Sequence, residues 1–127
     1  MNARRRLATV LTGAVLIGTG LAAAAPVAGA APGVSDIAYG SGNRTGVLCV
    51  QHGINDWAQR TGQGRPLAED HDFGANTRTW VRKFQSASHL AVDGIVGKNT
   101  GNSILDNLTG DSTWRANCYD YIPSTHH

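Results

Sequence analysis

From Val47 onward the apolar positions recur at helical spacing. Val47, Val50, Ile54 and Trp57 lie three or four residues apart and fall on one helix face. This stripe predicts a helix that fades by Arg60, before the loop Thr61-Gly62-Gln63-Gly64-Arg65-Pro66. Gly53 inside it weakens a helix by about 1 kcal/mol relative to Ala, so its presence points to close approach of a neighbouring element. Gln51 shares the apolar face and needs hydrogen-bond partners if it is buried. A second stripe, Trp80, Val81 and Phe84, predicts another helix with Arg78, Arg82 and Lys83 mostly toward water and Gln85 following the aromatic anchor. Ile104, Leu105 and Leu108 predict a third, shorter helix ending near Gly110. Residues 31–46 hold Pro32, Gly33, Gly40, Gly42 and Gly46 with little periodicity and read as a flexible lead-in, with the place of Tyr39 left open. The tail, 111–127, carries Trp114, Cys118, Tyr119 and Tyr121.

A repeat links the helices. Leu90-Ala91-Val92-Asp93-Gly94-Ile95-Val96-Gly97-Lys98-Asn99-Thr100 restates Leu67-Ala68-Glu69-Asp70-His71-Asp72-Phe73-Gly74-Ala75-Asn76-Thr77 at a constant offset of 23. Its chemistry reads as a turn feeding a helix. Asp-Gly suits a tight turn, the apolar residue after it, Ile95 or Phe73, is expected to anchor the loop inward, and Asn-Thr offers side-chain oxygens to the free amides of a starting helix. The alternative is a hairpin around Asp93-Gly94. The short flanks, and His71 in place of a glycine in the first copy, favour the turn-then-helix reading.

The N-terminus changes the charge picture. Arg4-Arg5-Arg6, an apolar run from Leu7 to Ala25 and Ala28-Gly29-Ala30 form the pattern of a signal peptide, 1–30, cut after Ala30. A membrane anchor is the competing reading. The chain has 11 Lys+Arg and 9 Asp+Glu; losing three arginines leaves eight against nine. A nearly neutral mature chain has no basic patch for nucleic acid or an anionic membrane, and it is expected to be a monomer. About 97 residues remain, one small domain. In an exported protein Cys49 and Cys118, the two cysteines, read as a disulfide. Cys118 must then reach Cys49, which lays the tail back across the first helix.

Three blocks carry a family resemblance. Val47-x-x-Val50-Gln51-x-x-Ile54, Asp70-x-Asp72-Phe73-Gly74-x-x-Thr77-x-x-x-Val81-x-x-Phe84-Gln85 and Leu90-x-Val92-Asp93-Gly94-Ile95-Val96-Gly97-x-x-Thr100-x-x-x-Ile104 together resemble the peptidoglycan-binding domain that accompanies cell-wall amidases and carboxypeptidases. The resemblance covers residues 47–110. It implies an all-α fold, a small three-helix bundle with two repeated turn-helix units, and a secreted, non-catalytic role as a cell-wall binding module of a bacterium. Three positions depart from the pattern. His71 replaces the turn glycine, which allows a different first turn. Trp80 stands where the family commonly has Ala and Gly101 where it often has Trp, a pairing that reads as a volume swap within a filled core.

Peptidoglycan offers stem-peptide carboxylates, amides and sugar rings. Helices opened by Asn76-Thr77 and Asn99-Thr100 would present free amides to an anion, Arg78 would add a charge-assisted bond, and Trp57 or Trp80 would stack on a sugar. The candidate binding residues are therefore Asp72, Asn76, Arg78, Asp93, Gly94 and Asn99, at the mouths of the two loops. Catalysis has weaker support. His52, His71, His89, His126 and His127 form no His-Glu-x-x-His motif, three consecutive residues such as Asp70-His71-Asp72 do not converge easily on one metal ion, and Glu69 is the only glutamate. No metal, cofactor or catalytic residue is therefore expected. A protein-binding or inhibitor module on the same scaffold, with a secreted wall hydrolase as partner, is the alternative, followed by a small wall hydrolase.

Overall fold

The computed structural model describes residues 33–108 and 112–125. The expected leader, its cleavage site, Gly110, His126 and His127 lie outside the described residues. Four helices follow one another among those described: α1 (Arg44–Arg60), α2 (Ala75–Ala87), α3 (Lys98–Asn107) and α4 (Ser112–Cys118). The fold is all-α. The three expected helices are present, and the tail, for which no helix was predicted, contributes the short fourth.

Helix α1 is the axis on which the other three pack. It starts three residues before the predicted Val47 because Asn43 caps it, its Oδ1 accepting from the Gly46 amide at 2.9 Å. It ends where Gly62 takes a left-handed conformation (φ 81°) and the Gln63 amide donates to the Ala58 carbonyl at 2.7 Å. Its stripe of Val47, Val50, Ile54 and Ala58 is fully buried, beside Phe73, Val81 and Phe84 on one side and Ile104, Leu105 and Leu108 on the other. Gly53 has the role its position implied, since a Cβ there would lie 2.7 Å from Ile104 Cγ2.

The termini of the domain close onto this core. The lead-in is not free as far as Gly46: Ile37 is fully buried and exchanges two backbone hydrogen bonds with Val96, at 2.8 and 3.0 Å. Apolar burial of one residue and this bridge order a segment whose glycine content suggested mobility. The bridge also answers the hairpin alternative, because Val96 pairs with Ile37 and not within its own loop. At the other end Cys49 and Cys118 form the expected disulfide, with Cα atoms 5.7 Å apart and 69 residues of separation. A loop of that length corresponds to about 4 kcal/mol of stabilisation in the chain-entropy model.

The tail, and not Trp80, occupies the space beside Gly101. A Cβ on Gly101 would collide with the Pro123 carbonyl and the Ile122 side chain, both of which are buried there. Asn102 fastens the same segment, accepting from Ser124 Oγ at 2.7 Å and the Thr125 amide at 3.0 Å. Trp80 instead packs edge-on against Trp57, with ring centroids 6.5 Å apart. The volume swap is thus corrected: main chain from outside the repeat fills the cleft.

Candidate functional site

The two repeat loops are each held by a buried glutamine from the helix before them. Gln51 Nε2 donates to Asp70 Oδ1 (3.0 Å), the Asp72 carbonyl (3.0 Å) and Thr77 Oγ1 (3.2 Å), while its Oε1 accepts from the amides of Asp70 and His71. Gln85 repeats the pattern with Asp93 Oδ1 (2.9 Å), the Ile95 carbonyl (2.9 Å), Thr100 Oγ1 (3.1 Å) and the amides of Asp93 and Gly94. Each glutamine joins the turn to the first turn of the following helix. The partners that Gln51 needed are therefore its own repeat loop.

This use of threonine corrects the expected caps. Thr77 and Thr100 are buried and bonded to the glutamines, and α2 and α3 begin after Gly74 and Gly97, with no side-chain cap at either. Asn76 and Asn99 lie exposed in the first turns. The anchor of the second loop also differs from expectation. Val96 is fully buried and Ile95 is 39% exposed, whereas Phe73 is buried as expected. At the repeat offset Phe73 aligns with Val96. His71 does not alter the turn either: it holds φ 67°, close to the 73° of Gly94. A left-handed residue with a Cβ costs about 1–2 kcal/mol, and the His71 ring sits 3.3 Å from the Arg44 carbonyl.

A cavity opens beside each turn-helix unit. The first, about 240 Å³, is lined by Gln51, Asp70, Asp72, Asn76 and Thr77 among others. The second, about 170 Å³, is lined by Asp93, Ile95, Lys98, Asn99 and Thr100 among others. Four of the predicted site residues are thus divided between the mouths, Asp72 and Asn76 at one, Asp93 and Asn99 at the other. Arg78 and Gly94 line neither. They touch each other: Gly94 is buried under the Arg78 side chain, and a Cβ on it would lie 2.9 Å from Arg78 Cγ. The mouths differ in charge, since Asp72 and Ala75 of the first correspond to Ile95 and Lys98 of the second.

Three carboxyl groups in and beside the loops have lowered pKa values. The Gln51 amide and the Asp72 backbone amide keep Asp70 below the ordinary aspartate range. The Ile95 amide, then Gln85, do the same for Asp93. Burial acts to raise Glu69, but hydrogen bonds from Asn55, His52 and Arg65 outweigh it and leave its pKa lowered. Arg65 bridges Asp56 (2.8 Å) and Glu69 (2.9 Å), and His52 stacks on Trp114 with ring centroids 3.7 Å apart. This network fastens the loop before the first repeat and α4 to α1. No group of three or more His, Cys, Asp or Glu residues placed to hold a metal occurs among the described residues.

The predicted sugar-stacking tryptophans are packed. Trp57 meets Trp80 and Phe84 edge-on, and Lys83 Nζ covers the Trp80 ring at 4.1 Å. The exposed aromatic beside Arg78 is Tyr39, 62% exposed, with the Arg78 guanidinium 5.3 Å from its ring centroid. Sequence reading missed it because it lies outside the repeat, and its one signal was an aromatic among glycines.

Residues 50–104 match the family described as "Putative peptidoglycan binding domain". The chain is also 34% identical, over 118 residues, to a zinc D-Ala-D-Ala carboxypeptidase of Streptomyces albus G. That match covers 86% of this chain and 46% of the carboxypeptidase, so the chain spans about half the length of its curated relative. No solved structure matches the chain.

Proposed function

We propose, from the match of residues 50–104 to the peptidoglycan binding domain family, that the chain is a secreted, non-catalytic module that binds the bacterial cell wall. The observation that carries the reading is the family match itself, which falls on both turn-helix units. The proposed contact residues are Asp72 and Asn76 at the first mouth, Asp93 and Asn99 at the second, and Arg78, whose stem Gly94 supports from beneath. At each mouth the ligand would meet a rigid turn, ionised carboxylate and exposed amide side chain. Such fixed polar groups suit the amides and charged ends of stem peptides and lose little freedom on binding.

Several features support binding without cleavage. A general acid needs a raised carboxyl pKa, and Asp70, Asp93 and Glu69 are all lowered. Both cysteines are in the disulfide. The carboxypeptidase relative is about twice as long as this chain's match to it, and its named activity is that of the whole protein. Export is proposed from the leader pattern of residues 1–30, with a monomer at the wall and a secreted wall hydrolase as its companion. Among the described residues no helix is long and apolar enough to cross a membrane.

The test is co-sedimentation of the oxidised protein with purified insoluble peptidoglycan while the supernatant is assayed for soluble fragments. Saturable binding without release is expected. Failure of folded protein to sediment would contradict the reading, and steady release of fragments would replace it with an enzymatic one.

A further inference from the structure

Tyr39 is presented to solvent by an unusually well-fixed backbone. Two residues before it, Ile37 is locked to Val96 by both backbone hydrogen bonds. Immediately after it, the Gly40 amide donates to the Phe73 carbonyl at 3.0 Å and the Ser41 amide to the Ala38 carbonyl at 2.9 Å. Gly40, at φ 78°, permits the turn. An aromatic residue that is 62% exposed is therefore carried between the two repeat loops' own anchors, Phe73 and Val96.

Arg78 is fixed against it. Its stem lies across buried Gly94 and its guanidinium carbon sits over the Tyr39 ring, 5.3 Å from the centroid. Among the described residues it has no carboxylate partner and no side-chain hydrogen bond. A guanidinium held over a ring without an internal acceptor keeps its N–H donors available, and they can grip a carboxylate in a bidentate manner. Tyr39 meanwhile keeps exposed ring surface for an apolar sugar face and a hydroxyl for its polar rim. Residue 39 lies outside the stretch that matches the family, 50–104.

We propose that Tyr39 and Arg78 form one platform for a sugar that carries an acidic peptide, the ring lying on Tyr39 and a peptide carboxylate on Arg78. The inference rests on the wall-binding reading and names the unit recognised, a muramyl peptide. A neutral N-acetylglucosamine oligomer could use the stacking surface alone.

The experiment measures binding isotherms of the oxidised protein on insoluble peptidoglycan for wild type, Tyr39→Ala, Tyr39→Trp, Arg78→Lys and Arg78→Gln, with thermal unfolding as a control for folding. Displacement by muramyl dipeptide is compared with displacement by an N-acetylglucosamine oligomer. Loss of about tenfold in affinity is expected for Tyr39→Ala and for Arg78→Gln, with retention in Tyr39→Trp, partial loss in Arg78→Lys, and displacement chiefly by the muramyl dipeptide. Wild-type binding that is unchanged in folded Tyr39→Ala overturns the platform and leaves wall binding intact. Equal displacement by both sugars overturns the carboxylate assignment to Arg78. Absence of wild-type binding overturns the wall-binding reading, and the platform with it.

Discussion

Replacing Gln85 by Leu removes the clasp of the second loop while keeping nearly the same volume. Gln85 is fully buried and makes five hydrogen bonds to the turn and to Thr100. Their losses are unequal. Asp93 and Ile95 are exposed, so water replaces their three bonds at little cost, whereas the Gly94 amide and Thr100 Oγ1 are buried. Each buried group left without a partner costs about 1–3 kcal/mol. The Gly94 amide and Thr100 Oγ1 together give roughly 4 kcal/mol, less about 1 kcal/mol for added apolar burial by Leu. A net loss of about 3 kcal/mol corresponds to a fall in Tm of roughly 15 °C for a domain of this size. Denaturant unfolding with the disulfide intact measures the first quantity and calorimetry the second. Gln51→Leu is expected to cost a similar amount, and the two changes should add, because the clasps share no bond. A loss below about 1 kcal/mol for folded Gln85→Leu would refute the assignment of loop rigidity to the clasp.

Three further outcomes follow from the geometry. Gly101→Ala should expel the Ile122–Pro123 segment from its cleft, which a lower Tm and faster proteolysis near Thr125 will report; an unchanged Tm would mean that the close approach is not required. His71→Gly should be neutral or stabilising by up to about 1 kcal/mol, since relief of the left-handed Cβ outweighs the added chain entropy, and a clear loss would assign weight to the ring's contact with the Arg44 carbonyl. The lowered pKa values of Asp70, Asp93 and Glu69 make stability greatest above the unfolded carboxyl range, roughly pH 4, and lost as pH falls through the lower folded values. Urea midpoints should therefore hold level from neutral pH to about pH 5 and fall below pH 4, and a rise on acidification would contradict the assignment.

The fold was legible where residues obey a period or a compartment rule. The helical stripes, the 23-residue repeat and the cysteine pair each mapped onto the structure, and Gln51 announced a need for partners by lying on an apolar face. The errors arose where a residue's usual role was overridden by a distant partner. Asn-Thr resembles a helix cap, but Thr77 and Thr100 are claimed by glutamines 26 and 15 residues away. His71 resembles a broken turn, but five bonds at Gln51 impose the same turn that Gly94 makes. Ile95 was expected inside because it follows Asp-Gly, although the repeat register assigns that place to Val96. The ordering of Ile37, the filling of the Gly101 cleft and the exposure of Tyr39 depend on long-range contacts that no local pattern carries.

The measurement that bears most directly on the wall-binding account is a map of backbone amide shifts on titrating the labelled, oxidised protein with soluble peptidoglycan fragments. The account predicts saturable shifts clustered at Asp72, Asn76, Asp93 and Asn99, extending to Arg78 and Tyr39, with α4 and the His52–Trp114 stack unmoved. Shifts confined to α4 and the apolar cavity beside Cys49 and Trp114, or none at saturating fragment, would contradict it.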